Sequence, residues 1–305
     1  MVTRARAAGY ALFGTRFDYL LHLRPAEWPI MAAHTAVGYL LAEGLAAARA
    51  GRHLGPAIAG LVLWVVCLNG GTLALNSAFD RDEGDVAYLR QPPPAPPGLA
   101  GFSFGLMVAG QLGACLLPFP FALAYAVCVV LSVLYSVPPF RLKAVAGADW
   151  VINMWGFGTL TPYAGWASTG VPMDPARGLV LLAFCPLFAA LYPLTQLYQV
   201  EEDRRRGDRT FASVLGPVGS LDVALVAAVI AFGLLAAGAV RAGWRLPGDG
   251  WRVVMLGVAA LMWAVVLVPW RLRARRLSPG DHQRGMYRAL AAWAVTDVAV
   301  VLGWG

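Results

Sequence analysis

Apolar runs of roughly twenty residues recur along the whole chain, separated by short stretches where Gly, Pro and charged residues gather. They predict nine spans, near 29–48, 55–79, 100–117, 119–136, 150–168, 178–198, 217–240, 252–270 and 287–304. About 20 apolar residues cross a bilayer core as a helix, and runs of that length are not barrel strands. The expectation is therefore an all-α polytopic membrane protein, with about nine transmembrane helices bundled around a central cavity. One domain is expected over residues 1–305, with segment 1–28 leading in along the membrane surface as an interfacial helix. Loops 80–99, 137–149 and 199–216 are expected to carry the chemistry.

Composition strengthens this picture. The chain is 59% hydrophobic and 13% charged, against about 25% charged residues in a soluble domain. With the N-terminus inside, eighteen Lys and Arg residues fall on the cytoplasmic side and six on the other. That asymmetry orients the protein in the cell (inner) membrane with its N-terminus in the cytoplasm and its C-terminus outside. The net charge of +7 is thus an orientation signal rather than a nucleic-acid footprint, and no nucleic-acid partner is expected. Cys67, Cys115, Cys128 and Cys185 all sit in apolar runs without a CxxC pair, as small core hydrophobes.

Three polar clusters then stand out, all at cytoplasmic span ends. The first holds Asn76, Asp80, Asp82, Glu83 and Asp85; Asn76 and Asp80 are four apart and share a helix face. Hard oxygen donors packed this closely repel one another unless solvated or joined by a divalent cation, and Mg²⁺ takes one or two carboxylates together with substrate phosphates. The second holds Gln196, Gln199, Glu202 and Asp203, with 196, 199 and 203 sharing a helix face, followed by Arg204 to Arg206 and Arg209. A weak internal echo relates Asn76 to Gln196, 120 residues apart. The third is YSVPPFRLK, residues 135–143, in which Pro138 and Pro139 stop the helix and Arg141 and Lys143 follow at the same membrane face. Arg grips phosphate through a fork and Lys as a point charge. Together these residues suit a metal, a diphosphate and a lipid tail held by apolar helices.

These segments resemble the UbiA superfamily of intramembrane prenyltransferases. NSAFDRDEGD is similar to that family's first motif, NDxxDxxxD; YSVPPFRLK is similar to its YSxPPxxxK stretch; and QVEEDRRRGDRT is similar to its second motif, which ends in DxxxDxxxGxRT. The resemblance implies Mg²⁺-dependent transfer of a prenyl group from a prenyl diphosphate donor to a hydrophobic or aromatic acceptor in the lipid bilayer. It implies metal ligands at Asn76, Asp80, Glu83, Asp85, Gln199, Glu202 and Asp203. It implies diphosphate contacts at Asn76, Arg81, Tyr135, Arg141, Lys143, Tyr198 and Arg209, with Asp80, Lys143 and Asp203 at the centre of catalysis. This chain departs from the motifs at Ser77, Gly84 and Gln199, where the family has acids.

A terpene cyclase would use the same ionisation without an acceptor. A transporter, the reading from another class, would place its polar residues near the midplane on broken helices, whereas these lie at helix ends on one face. Elsewhere, His22 and His34 are expected as hydrogen-bonding residues, and His53 and His282 as solvent-exposed. Asp149 and Asn153 open span five beside Lys143, Asp297 lies inside span nine, and the proline run 92–97 reads as a stiff extended loop.

Overall fold

The computed structural model describes residues 4–80, 89 and 91–305, the side chains of Ala5, Glu202 and Arg206 aside. Among the described residues there is no β-strand, only an isolated bridge between Val145 and Arg209. The helices are α1 (Arg4–Phe13), α2 (Phe17–His22), α3 (Trp28–Glu43), α4 (Leu45–Arg49), α5 (Leu54–Val62), α6 (Gly71–Asp80), α7 (Leu99–Ala114), α8 (Phe119–Ser136), α9 (Ala148–Asn153), α10 (Thr161–Ala167), α11 (Pro175–Gln196), α12 (Val200–Arg206), α13 (Phe211–Arg241), α14 (Gly250–Arg273) and α15 (Pro279–Trp304). Wide π-helical turns join α5 to α6 (Leu63–Gly70) and α9 to α10 (Met154–Leu160).

Each expected span coincides with helix, but only six helical stretches among the described residues have the length and hydropathy of a full crossing. The shortfall has local causes. The first expected span stops at Gly44, whose φ of 74° no side-chain-bearing residue adopts readily, and restarts as α4. The third is the 16-residue α7. The fifth, residues 148–167, is continuous through its π turn, but Asp149, Asn153, Thr159, Thr161 and Pro162 make it too polar. The last helix starts earlier than its apolar run, because Ser278 and Asp281 cap it reciprocally and Pro279 occupies its first turn. The N-terminal segment is helical, as expected, with Leu12 and Phe13 exposed.

Proline explains how the bent helices stay satisfied inside the bilayer. Pro162 has no N–H for the carbonyl of Gly158, four residues back, and His34 Nε2 donates to that carbonyl at 3.2 Å instead. Pro193 leaves the carbonyl of Ala189 free in the same way, and the Trp150 indole N–H bonds it at 2.9 Å. His34 also meets Asp297 at 3.2 Å through Nδ1, so α3, the second π turn and α15 join at one buried polar point. Asp297, inside the last span, thus has a structural partner in His34. His282 corrects an expectation too: it is buried and accepts from the Trp270 indole N–H at 3.0 Å. Its helix begins in the polar segment after α14 and turns it inward. Cys115, just past the end of α7, is exposed, whereas Cys128 and Cys185 are buried.

Two large apolar cores form, beside a small cluster of Leu23, Ala74 and Leu99. One gathers Trp64, Met107, Phe121 and Tyr125 from the first π turn, α7 and α8. The other gathers Leu41, Phe184, Leu221, Trp263 and Trp293 from α3, α11, α13, α14 and α15. A cavity of about 320 Å³ lies between them, walled by α3, α6, α8, α11, α15 and both π turns. The outward faces remain apolar, with Val229 on α13, Leu261 and Val265 on α14, and Val298 on α15 exposed. Such a belt would be a liability in water and suits lipid.

Helices α3 and α10 approach backbone to backbone. A Cβ at Gly38 would overlap the Pro162 carbonyl oxygen, and one at Gly165 the Thr35 carbonyl oxygen. Gly165→Ala should therefore destabilise the protein by about 1–3 kcal/mol, the usual cost of overpacking. Gly233→Ala, where a Cβ meets nothing within 4 Å, should not. Thermal unfolding in detergent reads the difference, and equal midpoints for the two variants would contradict this packing.

Candidate active site

The end of α6 carries Asn76 and Asp80. Its neighbour α8 stops at Ser136, where Val137 turns extended and Pro138–Pro139 redirect the chain. Arg141 then adopts φ 38°, and a single 3₁₀ turn (Leu142–Ala144) returns Lys143 toward α6. The Lys143 side chain is buried; its ammonium donates to Asn76 Oδ1 at 2.9 Å and pairs with the Asp80 carboxylate. The Ser136 hydroxyl donates to the same Asn76 oxygen at 3.4 Å. Arg141 forks onto Asp208 at 2.8 and 3.4 Å and lies 3.6 Å from Asp80.

The second acidic segment is stitched to the same place. Asp203, 5% exposed, accepts from the Thr210 hydroxyl at 3.1 Å, and its backbone carbonyl accepts from Asp208 N at 2.9 Å. Gly207, at φ 78°, ends α12 and allows that tight return. Arg209 N donates to Ala144 O at 3.2 Å, which ties the α12–α13 loop to the segment bearing Lys143. Asp80, Arg141, Asp208 and Asp203 thus form a continuous chain of contacts among three loops.

Asp149 braces these loops from below. Its fully buried carboxylate accepts from Gly147 N at 2.9 Å, Gln196 Nε2 at 2.8 Å and Phe211 N at 2.9 Å. Gln196 in turn accepts from Ala212 N at 3.1 Å and donates to the Tyr192 hydroxyl at 3.0 Å. The expected common face of residues 196, 199 and 203 does not exist, because α11 ends at Gln196 and α12 begins only at Val200. Gln196 is a brace, whereas Asn76 lines the cavity, so the internal echo does not extend to the roles of these two residues.

The cavity opens beside Asn76, where Arg24, Glu27 and Tyr198 also line it, and it reaches Trp64. Trp64 lies twelve residues before Asn76 on the same helical rod, about 18 Å deeper at 1.5 Å per residue. Tyr135 and Tyr192 share a hydrogen bond of 3.0 Å on its wall. The described part of the site offers hard oxygens (Asn76, Asp80, Asp203) and no group of three His, Cys, Asp or Glu residues. Hard oxygens beside a phosphate-sized cationic cluster fit Mg²⁺, which completes its shell with water and phosphate.

The family model of the UbiA prenyltransferase family matches residues 35–290. The chain belongs to the UbiA prenyltransferase family. Its fold is that of solved UbiA structures. The homologue from Archaeoglobus fulgidus bound to DMAPP and Mg²⁺ superposes with a TM-score of 0.63 at 20% identity, covering 93% of this chain and 99% of that one. The apo homologue from Aeropyrum pernix K1 gives 0.62 at 19%, over 91% and 98%. A digeranylgeranylglyceryl phosphate synthase gives 0.67 at 13%, over 94% and 97%. No curated protein matches.

Of the residues that the UbiA motifs single out, the structure brings Asn76, Asp80, Arg141 and Lys143 together, with Asp203 joined through Asp208. Tyr135 and Tyr198 line the cavity. Gln199 begins α12 without a side-chain cap bond, and the Arg209 side chain is exposed. Arg81, Asp82, Glu83 and Asp85 lie outside the described residues, as does the Glu202 side chain. Asn153, weighed as a mouth residue, lines the cavity, whereas Asp149 does not. Sequence reasoning missed Arg24, Glu27 and Asp208 as contributors. Arg24 stood only as one of the orienting cations ahead of an apolar run, and Glu27 stands alone there with no acidic neighbour to draw attention to it.

Removing the Asp149 carboxylate takes a charge-assisted bond from the Phe211 amide, worth about 1.5–3 kcal/mol. Asp149→Ala should therefore speed hydrogen exchange at Phe211 by about tenfold to a hundredfold. Unchanged exchange there would show that the loop does not depend on this brace.

Proposed function

We propose that this protein ionises a prenyl diphosphate with Mg²⁺ at the cytoplasmic mouth of its cavity and transfers the prenyl group to a hydrophobic or aromatic acceptor within the bilayer. The observation that carries the reading is the convergence of Lys143, Asp80 and Asn76 where a polar rim meets an apolar cavity. Family membership supports prenyl transfer as the reaction type, and relatives solved with DMAPP or GPP and Mg²⁺ support the donor class.

Asn76, Asp80 and Asp203 would hold Mg²⁺, which when bound supplies charge neutralisation at the diphosphate oxygens. Lys143 and Arg141 can each exchange a carboxylate for a diphosphate oxygen, Lys143 as a point charge and Arg141 as a fork. As the allylic C–O bond breaks, its electron pair leaves on the diphosphate, and these cations stabilise that charge where water is scarce. The apolar walls keep water from the allylic cation. Trp64, Tyr135, Phe188 and Tyr192 supply aromatic lining, whose ring faces attract cations.

The test is pyrophosphate release from geranyl, farnesyl and geranylgeranyl diphosphates by purified protein, with Mg²⁺ and with a chelator, followed by mass spectrometry of the extracted lipid. Release is expected only with Mg²⁺ and with a candidate acceptor present. Release without acceptor, giving a cyclic hydrocarbon or alcohol, would make the protein a terpene cyclase. Asp80→Ala and Asp203→Ala should each lower turnover at least about a hundredfold, on the scale of a lost electrostatic stabiliser, while the protein stays folded in detergent. Near-normal turnover in both would sink the assignment.

A further inference from the structure

Glu27 lies at the cavity mouth, outside the three UbiA-like motifs. It precedes α3 directly and is the only carboxylate lining the cavity among the described residues. Its backbone is bonded within the turn that starts α3, with its N–H donating to Arg24 O at 2.9 Å, while its carboxylate makes no hydrogen bond or ion pair with any described residue. Arg24, one turn earlier, is the only cation of the lining among the described residues, and its guanidinium donates to Ser77 Oγ at 3.2 Å. The other titratable groups of the lining are phenols and a thiol: Tyr198 and Tyr287 near this end, with Cys128, Tyr135 and Tyr192 farther along.

The wall here also faces outward. Ile30 on α3 is 42% exposed and Tyr287 on α15 is 53% exposed, although both line the cavity. A molecule dissolved in the bilayer can therefore reach Glu27 from the side, between α3 and α15, while the diphosphate end of a donor is held at Asn76 and Lys143. Among the described residues of the lining the charges of Arg24 and Glu27 balance, which suits an uncharged molecule.

We propose that Glu27 is the base of the reaction and that its partner is an uncharged, hydroxyl-bearing acceptor entering between α3 and α15. This rests on the prenyl-transfer reading above. The acceptor oxygen's lone pair forms the new C–O bond to the allylic carbon. The allylic C–O bond breaks and its electron pair leaves on the diphosphate. The hydroxyl proton passes to the Glu27 carboxylate. Burial pushes the Glu27 carboxyl up to about 7, against a weaker opposing pull from Arg24. A base is most useful when it titrates near the working pH.

The experiment uses the full chain in lipid nanodiscs with Mg²⁺, farnesyl diphosphate as donor and 1-naphthol as probe acceptor, beside its carboxylated counterpart 1-hydroxy-2-naphthoate. Wild-type prenylation of naphthol should rise through pH 7 as Glu27 ionises, and should exceed that of the naphthoate. Glu27→Gln should be slower by about a hundredfold, the scale of lost general-base catalysis, with that pH limb gone. Glu27→Asp should restore the limb in part. Binding of the unreactive farnesyl S-thiolodiphosphate should be unchanged in Glu27→Gln. A Gln variant with wild-type rate and pH profile would overturn the proposal. So would a matching loss of donor-analogue binding, which would make Glu27 structural. Pyrophosphate release without any naphthol product would overturn the acceptor role alone and leave ionisation standing. No release from any donor would overturn the prenyl-transfer reading itself.

Discussion

A charge beside an apolar cavity costs several kcal/mol unless it is paired, and this protein has to keep a cluster of them there. Lys143 meets that demand through Asp80 and Asn76, and Arg141 through Asp208 and Asp80. The pairing fixes three loops from distant parts of the chain against one another. Each carboxylate that neutralises a cation can also give way to a phosphate oxygen. On the proposed reading, the same contacts that permit folding leave a place where a diphosphate exchanges into an existing set of charges.

The helices have to bend around that place without leaving bare backbone in lipid. Prolines release carbonyls at Gly158 and Ala189, and side chains from other helices (His34 and Trp150) bond them. Glycines bring α3 against α10 so closely that this wall of the cavity has little freedom to collapse. The Asp149 network then fixes the start of α13 relative to α11. Cavity shape and loop position are thus set by polar contacts within the helices, and apolar packing fills the two cores on either side.

The fold was legible because lipid imposes a simple rule: long apolar runs become helices. The register of the acidic helix end was legible too, since Asn76 and Asp80 at a spacing of four must share a face. What the pattern could not convey was where helices break. Gly44 and the turn at residues 197–199 interrupt runs that read as continuous, and the second of these turns Gln196 from a ligand-like position into a brace. His282 was misjudged because its polar neighbours suggested solvent, whereas the capped start of α15 rotates it onto Trp270. Arg24 and Glu27 were hidden for a different reason: a cation ahead of a span has an adequate explanation in membrane orientation, a lone Glu there forms no cluster, and only the cavity lining brings the two together.

The central claim is that the Lys143 cluster is where the diphosphate docks. It is tested most directly by calorimetric binding of farnesyl S-thiolodiphosphate, in the presence of Mg²⁺, to the wild type and to Lys143→Met. Loss of one charge-assisted contact of about 1.5–3 kcal/mol corresponds to an affinity lower by about tenfold to a hundredfold. The account predicts that loss in a variant that remains folded. Wild-type affinity in folded Lys143→Met protein would contradict it and place the diphosphate elsewhere.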